Sequence, residues 1–282
     1  MAAEKNLLAQ LLRRWRAQAR MDFMWMTRDF PFFCICVVSD IITDLAGIAV
    51  VFLLAERFAG IGEWSREQIL FMLGYGAVVE SLLGMFFGYN VLAISRRIGR
   101  GQMDHVLIQP QPLWMVLLAE GFTPFSGCWA FFVGAGLCGW AVYLLGLPLT
   151  AGWLLALALN LAASCLVVLG FAYLWGTLAF WSPVSAEESS SRATRFASNL
   201  KSFPLDGVDS LLAGFLLVFL PVGFVAWYPS RALIGVGDGG AWWGTPMFAL
   251  ALALVALAAF RKGLKQYERT GSQRYLPWGH RS

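Results

Sequence analysis

Apolar residues run in long, nearly charge-free stretches at 32–55, 68–94, 113–145, 152–181, 211–228 and 241–260, with short polar gaps between them. A hydrocarbon core of about 30 Å takes roughly 20 helical residues, so each stretch can cross once, and the third and fourth can tilt or extend. A lone apolar segment in lipid must satisfy its own backbone, which makes helices the expected form. The pattern predicts an all-α integral membrane protein of six transmembrane helices. Pro124 and Pro221 each remove an internal hydrogen bond and predict kinks in the third and fifth spans. Trp64, Trp153, Trp227, Tyr228, Trp242 and Trp243 fall at span ends, where aromatic rings anchor at the interface. Before the first span the pattern becomes periodic. Leu8, Leu11, Leu12, Trp15 and Ala19 recur at helical spacing, opposed by Arg13, Arg14, Arg16 and Arg20. That spacing predicts an amphipathic elbow helix in the cytoplasmic interface rather than a disordered basic tail. A signal peptide is not expected, because no small-residue cleavage site precedes Phe32.

Charge orients the spans. Of 21 Lys and Arg residues, all but Arg57, Arg66 and Arg231 fall in four blocks: Lys5 to Arg28; Arg96, Arg97 and Arg100; Arg192, Arg195 and Lys201; and Arg261 to Arg281. Basic loops stay on the anionic cytoplasmic face. The four blocks therefore predict two cytoplasmic termini, with cytoplasmic loops around 96–112 and 182–207. The gaps 56–67 and 146–151 are too short to fold as outer domains. The gap 229–240 is Gly-rich enough to dip back into the membrane. The polar stretch 182–207 reads as a cytoplasmic segment with a short surface helix through Ala193, Phe196, Ala197 and Leu200. The chain then divides into a cytoplasmic interfacial helix (1–31), a six-helix membrane domain (32–260) and a cytoplasmic tail (261–282).

Composition fits a multi-pass protein of the cell membrane. The chain is 59% hydrophobic and 13% charged, far below the charge of a soluble domain. The cytoplasmic loops account for its net charge of +4, which gives no argument for nucleic acid. Cys34, Cys36, Cys128, Cys138 and Cys165 lie unpaired in apolar segments and read as small hydrophobes. No phosphate-binding Gly-x-x-x-x-Gly-Lys-Ser/Thr loop occurs, and His105 and His280 both lie outside the spans. No catalytic residue, metal ligand or cofactor site is read from this sequence.

Three membrane acids stand out: Asp40 and Asp44 on one face of the first span, and Glu80 in the second. Charge at depth is costly, so these acids must face a polar cavity, a partner or a proton. The plainer expectation is that they are neutral or hydrogen-bonded to groups such as Thr43 and Asn90, since no basic residue is expected at their depth. In the second span Gly74, Ala77, Ser81, Gly84 and Gly88 form a small-residue stripe. Packing within the chain and a dimer seam explain it equally well.

The loop after the second span reads Ile98-Gly99-Arg100-Gly101-Gln102-Met103-Asp104-His105-Val106-Leu107-Ile108-Gln109-Pro110. It resembles the Ile-x-x-Gly-x-Leu-Asp-x-x-Leu-x-x-Pro signature of ABC transporter permeases of the exporter-like type-2 class. Met103 replaces the usual Leu, and Gln109 stands where a basic residue is frequent. A train of prolines (Pro204, Pro221, Pro229) and the tail Gly263-Leu264-Lys265-Gln266-Tyr267-Glu268-Arg269-Thr270-Gly271 are also similar to that class.

The resemblance implies a membrane subunit that works with a second permease, identical or a sister subunit, and with two copies of a separate ABC ATP-binding subunit. It implies export. It also implies that Gly99, Arg100, Gly101, Gln102, Met103, Asp104, His105, Val106 and Leu107 dock the ATPase as a coupling helix, where the residues alone read as an ordinary hairpin. On this reading Met103, Val106 and Leu107 offer the partner an apolar surface. The competing readings are a stand-alone secondary transporter or channel using Asp40, Asp44 and Glu80, and a structural scaffold. The absence of a repeated half-topology counts against the secondary transporter.

Overall fold

A computed structural model describes residues 2–57, 64–201, 204–207, 209–236 and 241–271, which are helical with no strand among them. Helix α1 is Ala2–Arg28, α2 Phe30–Arg57, α3 Arg66–Leu92, α4 Ile94–Gly99, α5 Met103–Leu107 and α6 Leu113–Glu120. The chain continues through α7 (Trp129–Leu144), α8 (Ala151–Gly176), α9 (Pro183–Leu200), α10 (Ser210–Val218), α11 (Trp227–Ile234) and α12 (Gly244–Thr270). By length and composition four of the described helices can cross a membrane: α2, α3, α8 with its 3-10 extension, and α12.

Two ends of the bundle organise the rest. The loop end carries α4 and α5. The opposite end carries Trp64 and the start of α8. Helix α1 lies alongside α6: the Trp15 indole donates to Leu118 O (3.1 Å) and stacks on Phe122 at 4.8 Å. Asp22, buried on α1, accepts from Phe125 N (2.8 Å), Ser126 N (3.1 Å) and Ser126 Oγ (2.7 Å). It thereby satisfies backbone donors freed where the third span breaks between α6 and α7. Pro124 lies in that break, as expected.

The small-residue stripe is used within the chain. A side chain at Gly74 would meet Gly134 O at 2.9 Å and Cys138 N at 2.8 Å, so α3 and α7 touch backbone to backbone. Ser81 Oγ donates to Gly127 O at 2.8 Å. At Gly88 α3 itself leaves helical geometry (φ 51°), and Gly121 packs against the bend. Thr123 then donates from its N to Met85 O and from its Oγ1 to Gly84 O, both at 2.9 Å, just before the bend. The dimer-seam alternative has no share in these contacts.

The second half of the chain differs from the expectation. Helix α9 starts at the loop end, with Pro183 against Gly99 and Glu187 3.5 Å from both Arg96 and Arg100. It then climbs the bundle. Lys201, just past its end, pairs with Glu80 of α3. Asp206, a few residues further on, accepts from Trp64 and Trp227 and pairs with Arg231 at 2.9 Å. Helix α9 therefore starts at the loop end while Asp206 lies at the opposite end beside Trp64, so the described residues of this stretch are not confined to one end of the bundle.

The stretch 211–228 is not a single span. It breaks after the nine-residue α10, turns at Leu220–Val225 beside Val79 and Leu83, and returns as α11. Asp209, capping α10, and Leu233, whose carbonyl accepts from the Trp153 indole at 2.9 Å, mark its two ends on the side opposite the loop. The segment that dips back is thus 209–236. The expected re-entrant stretch 229–240 lies within its outgoing limb as far as Val236, and residues 237–240 lie outside the described set. Helix α12 returns to the loop end along α8 and stays helical to Thr270, ten residues beyond the expected membrane boundary.

Candidate functional site

Two features carry chemistry. The first is the loop. Gly101 has φ 67°, a left-handed conformation that favours glycine, and Pro112 starts α6 from an extended backbone. Between them α5 turns Met103 (0% exposed) and Val106 (3%) inward, Met103 into a cluster with Ile98, Leu117, Phe180 and Tyr267. The surface expected of Met103 and Val106 is therefore occupied by the permease itself, and Leu107 is half-buried. The outward face is Gln102, Asp104, His105 and Ile108, the last 78% exposed. Asp104 accepts from the Tyr267 hydroxyl at 2.7 Å. Arg100 leans toward Glu187, and Gly99 underlies the start of α9.

The second is a cavity of about 330 Å³ enclosed by α3, α8, the end of α9 and the re-entrant turn. Its walls are apolar: Val79, Leu83, Val167, Phe171, Leu220 and Val222. The Glu80–Lys201 pair lies at its edge, with the Glu80 side chain 56% exposed and that of Lys201 14%. The expectation that no cation reaches this depth fails, because the chain delivers Lys201 on the climb from α9. Glu80 and Lys201 also border a smaller cavity against Thr43 and Ile48 of α2.

Asp40 lies exposed on α2 and is not brought to Glu80. The side chains of Asp44 and Asn90 lie outside the described residues. Thr43 donates to Ser39 O at 2.8 Å and to neither acid. Sequence reasoning passed over Glu120, which pairs with the largely buried Arg97 at the foot of the third span. A count of acids in the apolar stretches would have found it. Asp206 was also missed, because its partners Trp64 and Arg231 are distant in sequence and lay in gaps assigned to the other side.

The exposed side of α9 is polar along most of its length: Ser185, Glu188, Ser189, Ser191, Arg192 and Arg195. Glu188 and Arg192 pair across one turn at 2.5 Å. A helix that rises from one end of an apolar bundle to the depth of Glu80 with such a face is better matched by water or another protein than by lipid.

This combination of an all-helical apolar bundle, a structured loop at one end and a polar helix beside a central cavity defines a membrane transport subunit. The family model for ABC-2 family transporter proteins matches residues 39–271, and the chain belongs to that family. No curated protein and no solved structure matches it. The chain is accordingly a permease component of an ABC transporter, a multi-pass membrane protein whose family pairs with an ABC ATP-binding subunit. The stand-alone secondary transporter gives way to that membership.

Proposed function

We propose that this chain forms half of the translocation pathway of an ATP-driven exporter, crossing the membrane six times with both termini cytoplasmic. The six crossings are α2, α3 with α4, α6 with α7, α8, α9, and α12. The loop end is cytoplasmic on this reading, since Arg96, Arg97, Arg100, Arg261, Lys262 and Lys265 gather in the segments that reach it. Two permeases, identical or sister, bring their α9 faces to a shared path, and two ATP-binding subunits dock below on Gln102, His105 and Ile108. The observation that carries the pathway is the polar exposed face of α9 from Ser185 to Arg195, which would be unfavourable in lipid alone. The likeness of the loop and tail to exporter-like permeases supports export.

The docking face is tested at Ile108. Ile108→Asp places a charge on an exposed apolar side chain that supports no fold contact, so insertion and yield should be unchanged. Co-purification of the ATP-binding subunit should fall about tenfold or more, as expected when an apolar anchor is replaced by a desolvated charge. Full co-purification would remove α5 as the docking element. Topology is tested separately by cysteine labelling in intact cells. Leu149→Cys, on the opposite end, should react with an impermeant maleimide, and His105→Cys only after permeabilisation. The reverse pattern would invert the bundle.

A further inference from the structure

We infer that Tyr267 is a positioning residue that locks the coupling helix to the permease body, so that displacement of α5 is delivered to α12 and α8. The inference rests on the reading of α5 as the ATPase-docking helix.

Helix α5 has five residues, far fewer than the ~12–15 at which an isolated helix becomes even marginally stable. It follows a left-handed glycine at Gly101 and precedes Pro110 and Pro112, so its own hairpin resists little. What holds it comes from elsewhere. Met103 and Val106 are buried on the permease, but apolar contact is non-directional and allows a short helix to slide. The directional contact is the Tyr267 hydroxyl donating to Asp104 Oδ1 at 2.7 Å, across 163 residues of sequence. Asp104 stands in the loop motif and Tyr267 in the tail motif, so the two motifs meet at one hydrogen bond.

Tyr267 is itself immobilised. It is 5% exposed, and its ring lies 5.7 Å edge-on from Phe180, which lies 5.4 Å from Phe260. Phe180 fills the space above Gly263, where any side chain would collide with its ring. The phenol therefore cannot swing away without displacing the 3-10 turn that ends α8. From Tyr267 a continuous helix runs back to Gly244 and packs on α8, with Leu252 against Gly170. Val167, Val168 and Phe171 of α8 are walls of the central cavity. A push on α5 thus reaches the cavity through the apolar contact of Met103, the directional bond to Tyr267 and two packed helices. A mobile tail contacting the loop only in passing would give neither the burial nor the aromatic box.

The test uses the permease with its ATP-binding subunit in lipid vesicles, with Ser191→Cys as the sole thiol on the exposed face of α9. Maleimide labelling is compared with and without ATP and vanadate. Tyr267→Phe keeps the ring and its packing and removes only the donor. It should retain co-purification yet reduce the nucleotide-dependent change in labelling about five- to tenfold, the factor expected for one part-buried hydrogen bond to a carboxylate. Asp104→Asn, whose carbonyl still accepts from the phenol, should retain most of that change. A full nucleotide response in Tyr267→Phe overturns the inference, as does loss of the ATP-binding subunit from that variant. If Ile108→Asp fails to release the subunit, the docking reading falls instead, whatever Tyr267→Phe does.

Discussion

Asp206→Ala is expected to lower the melting temperature of the purified permease on the order of 10 °C, corresponding to the ~3–5 kcal/mol typical when one member of a buried ion pair is removed. The carboxylate receives the Trp64 and Trp227 indoles on one oxygen and Arg231 on the other, and its side chain is only 10% exposed. It therefore joins the start of α3, the link after α9 and the returning limb α11. Alanine would leave the Arg231 guanidinium, 21% exposed, with Val236 O and the face of Trp227 as partners. Asp206→Asn retains an acceptor for the indoles and should lose less. Differential scanning fluorimetry on the two variants decides the point. An Asp206→Ala protein melting with the wild type would mean that these elements are held by apolar packing alone.

The second large effect is expected at the pair between α3 and the end of α9. Glu80→Gln leaves Lys201 charged, 14% exposed and without its carboxylate, at a depth where an unmatched charge costs about 2.5–3.5 kcal/mol. The half-exposed Glu80 side lowers the cost of losing the pair wherever water reaches it, so the figure is an upper range. Lys201→Gln should be similarly harmful. The double neutralisation Glu80→Gln with Lys201→Gln should be milder than either single change, and the exchanged pair Glu80→Lys with Lys201→Glu should recover most stability. A double-mutant cycle on melting temperature and monodisperse yield measures the coupling. Additive effects would show that the two side chains do not act as a pair. The sequence alone pointed to no basic residue at this depth, because Lys201 was placed in a cytoplasmic loop.

That misplacement shows where reading from the chain stops. The elbow helix, the first four apolar stretches and the last, the break at Pro124 and the loop between Gly99 and Pro112 were legible, because hydropathy, helical period and Gly/Pro punctuation are local properties. Helix α9 was not. Its charges are tolerated because they meet partners far away in sequence: Lys201 meets Glu80 121 residues earlier, and Glu187 meets Arg96 and Arg100. A sliding window sees only a polar segment. The reverse error occurred at 211–228, where apolar content is high but the helix stops at Val218 and the chain turns around Pro221. In the loop the motif fell on a short helix bounded by Gly101 and Pro112 without saying which way its residues face. A five-residue helix has too little periodicity to reveal that Met103 points in and Ile108 points out.

The re-entrant turn has a further consequence. Leu220, Pro221, Val222 and Val225 close the central cavity on the side toward Trp64, and Ala226 rests on Gly76 of α3 with a contact of 3.6 Å to the site of a β-carbon. The space beside Glu80 and Lys201 is therefore bounded at that end by the chain's own backbone turn. The outgoing limb is held on the Trp64 side by Arg231 on Asp206, while Asp209 caps the incoming limb through Leu211 N. The turn at Leu220–Val225 thus closes that end of the central cavity with the chain's own backbone.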